Sequence, residues 1–138
     1  MKKKLAMLFS SLALVLVMIA TLCACSTYGK VKRAYEKEGW TEDSSLVESQ
    51  QALLTTALGE DYKDVCTVHA LKKGDSLLAP VVIILEFDST KEMNEEIEKS
   101  DYLKTKLKDA QKSDYVSGTC ILLFHSTPEG KEIFKSTK

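Results

Sequence analysis

The chain has 138 residues, with 19 lysines and arginines against 20 aspartates and glutamates, and a formal charge of −1. That length suits a single domain. The near balance of interspersed charges excludes the basic footprint of a nucleic-acid binder, and no repeat or low-complexity tract appears.

Lys2, Lys3 and Lys4 open the chain, and Leu5 to Leu22 follows without a charge. Its 18 residues reach only the lower limit of a spanning helix, so the segment reads as an export signal. It ends in TLCACST, residues 21–27, with two cysteines one residue apart. Within it, Leu22-Cys23-Ala24-Cys25 resembles the lipobox of bacterial lipoproteins: an aliphatic residue, a loosely specified one, a small one, then the modified cysteine.

The resemblance implies that Cys25 carries a diacylglycerol on its sulfur and that cleavage falls between Ala24 and Cys25. Residues 1–24 would then be a signal peptide. Cys23 is the poorer candidate, because Leu22 would occupy its small-residue position. The bland alternative is a signal anchor with incidental cysteines. Two acyl chains give lasting anchorage, each buried methylene contributing about 0.8 kcal/mol. The expected location is the extracytoplasmic face of a bacterial cell membrane, with the membrane itself as one partner.

The mature chain, residues 25–138, is expected to form one domain on a very short tether. Losing the three signal lysines leaves 16 basic groups against 20 acidic, a formal charge of −4. A helix beginning near Thr27 or Gly29 leaves a leash of roughly 14 Å. Lys30, Lys32, Arg33 and Lys37 on this helix lie within reach of anionic head groups. The competing reading is a solvated face, with Val31, Ala34 and Tyr35 turned inward.

A short strand at Gly39-Trp40-Thr41 is weakly indicated. Ser45-Leu46-Val47-Glu48 fits a capping box, and Leu46, Leu53, Leu54, Ala57 and Leu58 then recur at helical spacing until Gly59. Tyr62 to Leu71 alternates and is rich in β-branched residues, which predicts a strand. After a turn at Lys73-Gly74-Asp75-Ser76, Ala79 to Phe87 is nearly all apolar, as in a strand covered on both faces. Pro80 fits only at its beginning.

Ser89-Thr90-Lys91-Glu92 opens another helix, carrying Met93, Ile97, Leu103, Leu107 and Ala110, with a break expected at Ser100-Asp101. Tyr115 to Phe124 is the last predicted strand, and Ser117-Gly118 marks a bulge or turn in it. Thr127-Pro128 starts a final helix that faces Ile133 and Phe134 inward.

These elements predict an α+β domain: a two-layer sandwich of three or four strands, antiparallel or mixed, with helices on one face. With the Trp40 strand, the order β-α-β-β-α-β matches the ferredoxin-like arrangement, with helices added at both ends. Without it, three strands remain with the apolar one central. Over this domain, YEKEGW, ILEFDS and YVSGTCILLF (residues 35–40, 84–89 and 115–124) resemble small uncharacterised lipoproteins of Gram-positive anaerobes. That resemblance implies no activity.

The chain has no Gly-rich phosphate loop, no Gly-x-Ser-x-Gly elbow and no His-Glu-x-x-His pair. Cys66-x-x-His69 invites a metal, but residues three apart on a strand point to opposite faces. Cys120 and His125 fail on the same ground. Glu92, Glu95, Glu96 and Glu98 supply oxygens of the kind calcium takes, yet they spread around a helix, and Lys99 stands at i,i+4 from Glu95. Glu86 ends the apolar strand, where burial would suit a general acid; open water at the strand end argues against it. No catalytic residue, cofactor or metal is expected, and Cys66 and Cys120 are expected as free buried thiols rather than a disulfide. The sequence therefore points to a lipid-anchored, non-catalytic binding or envelope-associated module whose partner is a protein or envelope ligand. A small membrane-tethered enzyme built on scattered acids such as Glu86 is the alternative.

Overall fold

The computed structural model describes residues 27–108 and 113–138. The segment read as an export signal, the residues Cys23, Ala24 and Cys25 read as part of a lipobox, and Ala110 lie outside them. In chain order the elements are α1 (Thr27–Lys37), β1 (Trp40–Glu42), α2 (Ser45–Ser49), α3 (Gln51–Leu58), α4 (Tyr62–Val65), β2 (Thr67–Lys73), β3 (Val81–Glu86), α5 (Thr90–Lys99), α6 (Asp101–Leu107), β4 (Val116–Ser117), β5 (Cys120–His125) and α7 (Pro128–Lys135). None of these helices is long and apolar enough to cross a membrane.

Five strands form one sheet in the order β1-β2-β3-β5-β4, every neighbouring pair antiparallel. This is an α+β fold. The chain order β-α-β-β-α-β is present, but a ferredoxin-like sheet inserts its third strand between the first two, whereas here β1 pairs directly with β2 and lies at the edge. The most apolar strand, β3, lies at the centre, paired with β2 from Thr67↔Glu86 to Lys72↔Val81 and with β5 on its other side.

The expectation of helices on one face gives way to helices on both. Ile83, Leu85, Ile121 and Leu123 pack with Leu54, Met93, Ile97 and Leu103 in one core. Val82, Ile84 and Leu122 pack with Val31, Tyr35, Trp40 and Phe134 in another. Because β3 and β5 are as apolar on one face as on the other, both must be covered. The terminal helices α1 and α7 do this for the second face. Helix α7 comes close to the sheet because Gly130 lacks a side chain there: a Cβ would stand 2.7 Å from Val82 Cγ1.

Three boundaries differ from expectation. Tyr62 to Val65 is a single helical turn, closed by Cys66 N–H donating to the Tyr62 carbonyl, which drives the Tyr62 ring into the core. The helix predicted after Ser45 is two pieces, α2 and α3, and Asp43 rather than Ser45 accepts the capping hydrogen bond. Gly118, at φ +58°, folds the last predicted strand into the β4–β5 hairpin, which makes the strand count five rather than three or four. A Cβ at Gly118 would lie 2.4 Å from Thr27 Oγ1, so this turn receives the first residue of α1.

Candidate functional site

The most concentrated group of polar side chains lies where α1 begins. Strand alternation builds it. Glu42 stands opposite Leu71, His69 opposite Ile84, and Glu86 opposite Cys120, and all three partners belong to the core beneath α1. His69 on β2 is therefore flanked diagonally by a carboxylate from β1 and one from β3. Its Nε2 lies 2.9 Å from Glu86 Oε1 and its Nδ1 3.5 Å from Glu42 Oε1.

Helix α1 closes the group from above. The Tyr28 ring stacks on the imidazole with centroids 3.5 Å apart and planes 10° from parallel, and its hydroxyl donates to Glu42 Oε1. Lys32, one helical turn on, places Nζ 3.5 Å from Glu42 Oε2. Burial alone would raise the Glu42 carboxyl, but the Tyr28 hydroxyl, Lys32 and His69 outweigh it and hold the group below its usual range. Burial first, then the Glu42 carboxylate, push the Tyr28 phenol well above its ordinary value, so it remains a donor.

Chemically this arrangement is a clip. Both imidazole nitrogens already face carboxylates, and one face of the ring lies under Tyr28. Both nitrogens are thus engaged within the fold. What the group accomplishes is attachment: it ties the first turn of α1 to β1, β2 and β3.

The residues singled out from sequence fall elsewhere or into this clip. Cys66 caps α4 on the α5 side of the sheet and His69 lies on the α1 side, so they do not meet. Cys120 and His125 sit at opposite ends of β5, paired with Glu86 and Val82. Both thiols are free, and burial first, then a glutamate, pushes each up to about 12: Glu96 for Cys66 and Glu86 for Cys120. Among the described residues no group of three or more His, Cys, Asp or Glu is arranged to hold a metal. In the acidic helix, Lys99 pairs with Glu96 rather than Glu95, and Glu95 turns to Lys91. Glu86 is bonded to His69 instead of standing alone at a strand end. Sequence reasoning did not find Tyr28 and Glu42 as members of this group. The signal present was the same-face spacing of His69 with Leu71 and of Glu86 with Ile84; the pairing of β1 was the missing step.

No protein-family model, curated protein or solved structure matches this chain.

Proposed function

We propose that this protein is a lipoprotein anchored through Cys25 to the extracytoplasmic face of a bacterial membrane, and that its domain is a non-catalytic module binding a protein or envelope ligand close to that surface. The observation that supports this reading is where the fold takes hold of the chain. Helix α1 starts at Thr27, with one residue between it and Cys25, and Tyr28 is already buried. The leash joining the lipid to the domain would span at most roughly 7 Å. A short leash of this kind suits a module that works at the membrane surface rather than one that searches away from it.

Fatty-acid metabolic labelling tests the anchor. Cys25→Ala should abolish the label and leave an unprocessed or released protein, while Cys23→Ala should remain labelled. Label retained after loss of Cys25 would sink the assignment. Crosslinking in cells, followed by identification of what is captured, tests the binding role.

A further inference from the structure

The outward face of α1 carries three exposed cations. Tyr28, Val31 and Tyr35 bury one side of this helix. Lys30, Arg33 and Lys37, at spacings of three and four, lie on the side directly opposite, and all three are exposed. Other lysines of the domain are engaged: Lys32 with Glu42, Lys72 with Asp43 and Asp75, Lys73 with Glu129. Lys30 and Lys37 have no carboxylate partner among the described residues, and Arg33 donates through Nε to the Gly29 carbonyl within its own helix. Beside the stripe runs a shallow groove of about 670 Å³, lined by Lys30, Arg33, Lys37 and Glu38 together with Ser136 and Thr137 after α7.

We infer that α1 lies flat on the membrane, with Lys30, Arg33 and Lys37 against the phosphates of anionic phospholipids. This rests on the reading of Cys25 as the lipidated residue. Distances select the flat orientation. Charges act on a surface within about one screening length, about 8 Å at physiological salt. A leash of at most roughly 7 Å keeps the start of α1 within that range. Lys37 is seven residues beyond Lys30, about 10.5 Å along the helix axis. With α1 upright, Lys37 would stand outside the range; with α1 parallel to the surface, all three cations enter it together. Such basic residues next to a lipid anchor add attraction to anionic lipid. The His69 clip fixes which way the stripe points, because it holds the first turn of α1 against the sheet.

The test uses the full mature lipoprotein reconstituted in two kinds of vesicle, phosphatidylcholine alone and phosphatidylcholine containing phosphatidylglycerol. Amine acylation is followed residue by residue by mass spectrometry. Lys63, exposed on α4 across the sheet, is the internal reference. Lys30 and Lys37 should be acylated several-fold more slowly than Lys63 in the anionic vesicles only. The difference should vanish at about 1 M salt, where the screening length falls to about 3 Å. Equal rates in both vesicles would overturn the inference. So would equal protection by soluble polyphosphate in detergent, which would assign the stripe to an anionic envelope polymer instead. Mass analysis of Cys25 and flotation separate the two readings. A protein that carries no diacylglycerol and fails to float refutes the anchor and the inference with it. A floating protein with unprotected lysines refutes the inference alone.

Discussion

Glu42 receives a hydroxyl, a lysine and an imidazole at the edge of the sheet, and that crowding makes it a residue through which acid reaches the fold. Its carboxyl titrates lower folded than unfolded, despite burial, because Tyr28, Lys32 and His69 favour the charged form. A depressed folded pKa gives stability that is complete above the unfolded value, about 4.3, and is lost as the pH falls through the folded one. The side chain is more than a third exposed, so screening keeps the contribution under about 1 kcal/mol. The gap in melting temperature between wild type and Glu42→Gln should therefore be open at neutral pH and narrow as the pH falls below the unfolded value, about 4.3. A gap that stays constant from neutral pH into acid would remove Glu42 from this role. That two carboxylates and a tyrosine surround His69 was half legible from sequence. Alternation puts Glu86 on the face of Ile84, but only the pairing of β1 with β2 brings Glu42 beside it, and three residues of strand are too few to announce a register.

At the scale of elements, serines set where helices start. Ser89 accepts from the Glu92 N–H as its capping box implies, and Ser100 both ends α5 and caps α6 by accepting from the Leu103 N–H at 3.1 Å. Ser100 also donates at 2.6 Å to the Ala57 carbonyl at the end of α3, so one hydroxyl joins three helices. Ser100→Ala should cost about 1–2 kcal/mol, read as a lower midpoint in urea at unchanged slope. A midpoint within error of wild type would mean that water replaces both bonds. Caps of this kind were readable because they are local. The turn at Tyr62 was not, since its alternating pattern suits a strand equally well. What decides is a place for the Tyr62 ring in the core made by α3, α5 and α6, which no short window contains.

For the molecule as a whole, the central position of β3 separates the two thiols. Cys66 leads into β2 and Cys120 opens β5, with β3 between them, so two strand spacings of about 4.8 Å put them near 10 Å apart. A disulfide needs Cα atoms within about 6.8 Å. With both thiols pushed up to about 12, almost no thiolate exists near neutral pH. Titration of residues 26–138 without reductant should find two thiols, slow in the native state and immediate on denaturation. None appearing in denaturant would contradict the strand order. The order itself was only partly written in the sequence. The apolar run of β3 announces a strand covered on both sides, whereas its neighbours are chosen by which helices fill the second face, a property of the chain's two ends.

The meeting of Thr27 with Gly118 works as a mechanical stop. The β4–β5 turn admits the start of α1 because residue 118 has no side chain, and its φ of +58° suits glycine. A valine there would push Thr27 away and fray the first turn of α1, releasing about two or three residues at about 3.5 Å each. Gly118→Val should therefore speed proteolytic cleavage between Ser26 and Lys30 while the sheet stays folded, and unchanged cleavage would deny the stop. A glycine more than 90 residues along the chain from Cys25 would then govern the standoff of the whole domain from the anchor proposed at that cysteine, as a spacer sets the height of a probe.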